Sequence, residues 1–107
     1  MIIKELSKEY TKIEKKLHSI NNYLYNNPEL GYEEIKSSKK IIEFLKQSVG
    51  IKDFQYFEDI PTAFVGKLKG RKSNKENIAI CIEYDALPGI GHACGHNLFG
   101  VASTAAA

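Results

Sequence analysis

The chain has 107 residues, enough for one small domain and no more. Its composition, 43% hydrophobic and 26% charged, is that of an ordinary soluble globular protein, and a domain of this size buries only about 60–65% of its unfolded surface. A net charge of +2 is too small to argue for nucleic acid, and no apolar run approaches the ~18 residues of a membrane span.

Lys and Glu mostly alternate on the same segments, which reads as a solvated helix face rather than a phosphate-binding patch. The start, Met1-Ile2-Ile3-Lys4-Glu5, turns charged at once and lacks the apolar stretch of a signal peptide. The expectation is a cytoplasmic protein with neither a nucleic-acid nor a membrane partner. Two cysteines in such a chain read as free thiols or ligands rather than a disulfide.

The first segment carries Ile3, Leu6, Tyr10, Ile13, Leu17, Ile20 and Leu24. Steps alternating between three and four place them on one stripe of a helix. A coiled coil would show the same heptads. One long helix laid against a sheet is the better reading, because the pattern stops at Asn26-Asn27-Pro28, where proline disfavours helix in the residue before it. A second helix is expected over about 32–48, with Ile35, Ser38, Ile42, Leu45 and Val49 on its buried face and Gly50 as its stop. Short strands are expected at 54–57 and 62–68, the second with Phe64 and Leu68 on one face. Residues 70–75 read as a polar turn or exposed loop.

Residues 77–83 hold the strongest candidate for a buried strand, Ile78-Ala79-Ile80-Cys81-Ile82, apolar on both faces like a central strand covered by helices. A glycine-rich loop follows, and 98–107 read as a helix of small apolar residues. The order helix, helix, strands, loop, helix indicates a layered α/β domain. The chain stops at Ser103-Thr104-Ala105-Ala106-Ala107 without a cap or a charged last turn. Complete domains seldom end so, and the expectation is the front part of a longer protein.

The residues that can do chemistry cluster where the expected central strand ends. Glu83, Tyr84 and Asp85 stand at its carboxyl end, where α/β sheets concentrate functional groups. Pro88, Gly89, Gly91 and Gly95 give the following loop freedom to approach a ligand closely, and it carries His92, Cys94 and His96. Cys94 and His96 are two apart, so a thiolate and an imidazole can converge on one cation, and zinc accepts both. A catalytic zinc needs about three protein ligands and a water, with Asp85 the nearby carboxylate. A small packed residue is the competing reading of Cys94. Cys81 reads as a core thiol and His18 as a surface histidine. A phosphate-cradling loop and a dinucleotide fingerprint are both missing from the sequence. A nucleophilic pair of Cys94 with His92 or His96 is conceivable, but neighbours two apart adopt the proton-transfer geometry poorly.

Read together, Glu83-Tyr84-Asp85-Ala86-Leu87-Pro88-Gly89-Ile90-Gly91-His92-Ala93-Cys94-Gly95-His96-Asn97-Leu98 is similar to a signature of one family. That family is the metallopeptidases that include aminoacylases, glutamate-releasing carboxypeptidases and amino-acid conjugate hydrolases. The nearest branch is that of aminobenzoyl-glutamate hydrolase and its dipeptidase-like relatives. Asn27-Pro28-Glu29-Leu30-Gly31-Tyr32-Glu33-Glu34 resembles the family's N-terminal motif, and Ile60-Pro61-Thr62-Ala63-Phe64 a segment of the same branch. The resemblance runs from about Leu24 to the end.

By that resemblance, residues 1–107 are the N-terminal part of a three-layer α/β/α catalytic domain. Cys94 and His96 match ligands of a pair of divalent ions, zinc or manganese, with the cysteine placed to bridge. Asp85 matches a carboxylate that orients a ligand from behind, and Glu29 and Glu34 match positions with a structural role. Tyr25 and Phe99 stand where many members have histidine and Asn97 where many have aspartate; the last two fit the aminobenzoyl-glutamate branch. The resemblance implies metal-assisted hydrolysis of amide bonds in N-acyl amino acids or dipeptide-like substrates by a homodimeric enzyme, with a downstream glutamate pair, further histidines and a dimerisation domain that this chain lacks. The competing expectation is a non-catalytic remnant, a small α/β domain that binds a metal or a partner.

Overall fold

The computed structural model describes residues 1–70 and 76–107; the turn or loop expected at 70–75 falls almost wholly outside them. Three helices and a two-stranded antiparallel sheet form a small α/β fold, in the order α1 (Ile2–Asn26), α2 (Ile35–Phe44), β1 (Asp53–Tyr56), β2 (Phe64–Lys67) and α3 (His96–Ala106). A single π-helical turn, Leu45–Val49, extends α2, and Gly50 ends it at φ 83°. Glycine adopts this left-handed conformation without the steric cost a Cβ would bring.

The 25-residue α1 is one continuous helix, as its periodicity predicts, but only the C-terminal half of its stripe is covered. Leu17, Ile20 and Leu24 are buried in the core, whereas Ile3, Leu6 and Tyr10 lie on the open half of the same face. On α2 Ser38 and Leu45 are buried as expected, but Ser37, Ile41 and Phe44 complete the inward face in place of Ile35, which is exposed. Two serines can occupy that face because their hydroxyls are bonded within it, Ser38 Oγ to the Ile35 carbonyl at 3.1 Å and Ser37 Oγ to the Glu29 carboxylate at 2.6 Å. With Ile51 and Tyr84 these side chains make one core, and Phe54 and Phe64 of the sheet pack against it.

β1 and β2 pair with Asp53 opposite Lys67 and Tyr56 opposite Phe64. Leu68 lies beyond β2 and is exposed, so it does not share the buried face with Phe64. The expected central strand differs more. Residues 78–82 form no strand among the described residues; Ile78 is 94% exposed, and Cys81 is an exposed thiol, not a core one. A strand apolar on both faces is buried only if neighbouring strands and helices cover it, and among the described residues only Ile82, at the end of the segment, packs against the core. Beyond it, Tyr84 regains the core. Its ring stacks on Phe64 at 6.4 Å and its hydroxyl donates to the Thr62 carbonyl.

The uneven burial of α1 makes a measurable contrast. Leu24 is 0% exposed and Leu6 64%. Leu24→Ala is expected to lower the unfolding free energy by about 2–5 kcal/mol, and Leu6→Ala by no more than about 0.5 kcal/mol, both read by urea denaturation. Equal losses would place the N-terminal half of α1 in the core.

Candidate active site

The site is assembled from three pieces of chain held by the N-terminal motif. Glu29 is its hinge. Its carboxylate accepts hydrogen bonds from the backbone N–H of Lys36 at 3.0 Å, from that of Ser37 at 2.6 Å and from the Ser37 hydroxyl. It therefore caps α2, although Glu34 occupies the cap position and makes no capping bond of its own. The Glu29 carbonyl accepts the Ala86 N–H at 2.8 Å, and Leu30 bridges Ala86 in parallel. Pro28 lies beneath the loop, where a Cβ on Gly91 would stand 3.8 Å from its ring. The structural role expected of Glu29 is thus visible as a cap and a tether.

Burial alone would raise the pKa of the Glu29 carboxyl; the Ser37 hydroxyl, the two backbone donors and the Lys36 charge outweigh it and hold the group below its ordinary 4.5. Glu34 is buried, and its Oε2 has no hydrogen-bond partner. Burial, aided by the Glu34 charge, pushes the nearby Tyr84 phenol up to about 12.

The loop after Ala86 turns on glycines in the left-handed region, Gly89 at φ 75°, Gly91 at 61° and Gly95 at 81°. The Leu87 N–H bonds the Gly91 carbonyl at 2.9 Å and the Gly95 N–H bonds that of His92 at 3.0 Å. Gly95 is the N-cap of α3, which places His96 in its first turn. Asn97, the next residue, is buried and donates to the Asn21 side chain on α1 at 2.9 Å, fixing the start of α3.

This arrangement brings together two of the three expected site residues. His96 Nδ1 lies 2.7 Å from Asp85 Oδ1. The other nitrogen, Nε2, lies 3.3 Å from Glu83 Oε2, a strand-end carboxylate that the sequence placed near Asp85 without assigning it a role. The signal was available: Glu83 and Asp85 are two apart in extended chain, so both carboxylates face the same side. Cys94 is exposed just before Gly95, and no hydrogen bond ties its thiol to His96 or Asp85 among the described residues. His92 is buried, 7% exposed, with neither ring nitrogen partnered, and burial lowers its pKa. His18 is a surface residue, 3.9 Å from Glu14.

The chemistry of the pair follows from the donor count. In the neutral tautomer whose Nδ1–H donates to Asp85, His96 presents a lone pair at Nε2, and Glu83 presents another 3.3 Å away. Two acceptors face each other, and a positive group, a proton or a metal ion, relieves the repulsion between them. Imidazole with carboxylate suits zinc and manganese alike. The fit is partial: among the described residues, no group of three or more His, Cys, Asp or Glu side chains is placed to hold one ion.

Similarity to known proteins places the chain in a family. The chain is 33% identical, over 110 aligned positions, to thermostable carboxypeptidase 2 of Saccharolobus solfataricus, the match taking in 90% of this chain and 27% of that one. To Xaa-Arg dipeptidase of Homo sapiens it is 31% identical, covering 87% of this chain and 23% of the dipeptidase. To a p-aminobenzoyl-glutamate hydrolase of Escherichia coli it is 32% identical, covering 82% of this chain and 21% of the hydrolase polypeptide. No family model matches. The chain belongs to the amidohydrolase and peptidase family that these proteins represent. It spans about a quarter of the length of these curated relatives.

Two titrations follow from the site. The depressed Glu29 carboxyl contributes stability that is complete above 4.5 and is lost as pH falls through its folded value. His92, also depressed, takes up a proton more readily when unfolded, so its contribution is complete above its ordinary 6.5 and falls away below it. Denaturant melts between pH 8 and 3 are expected to show both losses, with His92→Leu removing the upper one and Glu29→Gln shrinking the lower. A melt unchanged between pH 7 and 5 in the parent chain would contradict the assignment of His92.

Proposed function

We propose that this chain carries one edge of a two-metal amidohydrolase site and is a partial catalytic domain, with Cys94 and His96 as ligands and Asp85 as the carboxylate that orients His96. The observation that carries the reading is the His96 imidazole held between two carboxylates. Asp85, 2.7 Å from Nδ1, favours the tautomer that donates Nδ1–H to it and turns the Nε2 lone pair outward to coordinate. Cys94, on the exposed loop next to that nitrogen's helix, adds a thiolate of the kind zinc binds.

The reaction is hydrolysis of amide bonds in dipeptide-like substrates or N-acyl amino acids. The relatives' names support this class: a Xaa-Arg dipeptidase, a hippurate hydrolase of Campylobacter jejuni and an N-acetyldiaminopimelate deacetylase of Oenococcus oeni. Bound zinc or manganese would supply Lewis-acid activation of the carbonyl and of water. In this chain Asp85 holds a proton on Nδ1, His96 and Cys94 offer ligand atoms, and Asn97 locks the start of α3 against α1. A general base and the remaining ligands come from outside the 107 residues, in a homodimeric enzyme. Two free cysteines fit a cytoplasmic setting, and no helix among the described residues is long and apolar enough to cross a membrane.

A second reading, a non-catalytic α/β domain that binds a metal or a partner, is favoured by the uncovered apolar residues at 78–81. Metal titration of the purified chain tests the ligand assignment, and turnover separates the two readings. Cys94→Ser and His96→Ala are expected to abolish measurable zinc binding, and Asp85→Asn to weaken it about 10–100-fold. Unchanged affinity in all three variants would sink the ligand assignment. Metal-dependent turnover of an N-acyl amino acid by the isolated chain would show that its site is complete without further residues.

A further inference from the structure

The α3 helix contains a glycine that helix formation does not call for. Gly100 lies in a run rich in alanine, where glycine weakens a helix relative to alanine. Packing explains it. A Cβ built on Gly100 would stand 2.5 Å from the Glu83 carbonyl oxygen and 3.4 Å from the Glu83 carbonyl carbon and the Tyr84 Cβ. The backbone of the carboxylate-bearing segment therefore lies directly on α3, in space that any other residue would fill.

Gly100 is four residues after His96, one turn along the same face. The segment that touches Gly100 is the one whose Glu83 and Asp85 side chains flank the His96 ring, at 3.3 and 2.7 Å. The far side of that segment is pinned by the Tyr84 hydroxyl on the Thr62 carbonyl and by the Tyr84–Phe64 stack. The next turn of α3 is pinned in its turn, because the buried Thr104 hydroxyl donates to the Gly100 carbonyl at 2.7 Å.

We infer that Gly100 is a positioning residue: its missing side chain lets residues 83–85 settle onto α3 and so places His96 between the two carboxylates. The inference deepens the metal-site reading and takes its functional meaning from it, although the placement itself can be tested without metal. An added methyl must push the segment away by roughly 1 Å to restore van der Waals separation. That movement carries Asp85 Oδ1 out of hydrogen-bond range of Nδ1, and the imidazole loses its fixed tautomer.

The test uses the full 107-residue chain labelled with 15N, free of metal and held at about pH 9, well above the ordinary histidine range, so that imidazole rings are neutral. In the parent protein the His96 ring nitrogens are expected to give the separated shifts of a single tautomer with a protonated Nδ1. Gly100→Ala is expected to collapse them towards the average of exchanging tautomers. Val101→Ala, a truncation at the neighbouring position where the side chain packs on the core, is expected to lose stability but keep the parent signals. Tyr84→Phe frees the segment from Thr62 without adding bulk and is expected to shift the signals part of the way.

A folded Gly100→Ala chain with parent-like His96 signals overturns the inference, as does Val101→Ala collapsing them equally. If Gly100→Ala does not fold, Tyr84→Phe decides: unmoved His96 signals overturn the inference and a partial shift supports it. Zinc titration is a separate arm, in which Gly100→Ala is expected to weaken affinity at least about tenfold. Should the parent chain bind no zinc, the metal reading fails and the nitrogen shifts still decide the role of Gly100.

Discussion

The hydrogen bond from the Ala86 N–H to the Glu29 carbonyl joins two parts of the chain that are otherwise separate in sequence. On one side of it, the Glu29 carboxylate caps α2 and so fixes the N-terminal motif to the main core. On the other, Ala86 follows directly on Asp85. The tether therefore sets the height at which the carboxylates leave the core, and α3 then packs against the same segment through Gly100. The distances around His96 rest on these two contacts, one a backbone bond and the other a missing side chain, together with the Asn97–Asn21 and Tyr84–Thr62 bonds that fix α3 and the carboxylate segment.

Much of this is legible in the sequence, for reasons that differ from element to element. α1 is readable because seven apolar residues in heptad register admit few alternatives, and the end of α2 because Gly50 tolerates the left-handed turn. The inward face of α2 differs in part from its pattern because Ser37 looks polar; its hydroxyl is satisfied by Glu29, which no periodicity reveals. The segment at 78–82 reads as buried because its composition is that of a central strand. Composition describes what a segment needs from its surroundings, and the described residues do not provide it.

At the site, motif similarity singles out Asp85, Cys94 and His96, and the fold brings the first and last of these within hydrogen-bonding distance. Glu83 is legible as a strand-end carboxylate, but its pairing with His96 only from the two-residue spacing in extended chain, and Gly100 only from a glycine inside a helix-favouring run. Both placements depend on the backbone, which a one-dimensional pattern records weakly. The family relationship to the Saccharolobus carboxypeptidase and the human dipeptidase is independent of these details.

The exposed segment from Ile78 to Ile82 carries a further consequence for the protein in solution. Five successive apolar residues with no proline, glycine or charge have unsatisfied strand-forming potential, and such a stretch is a template for pairing with another chain. Pairing of that kind would rise with concentration, whereas the folding of α1, α2 and their core does not depend on it, and of the segment only Ile82 packs on that core.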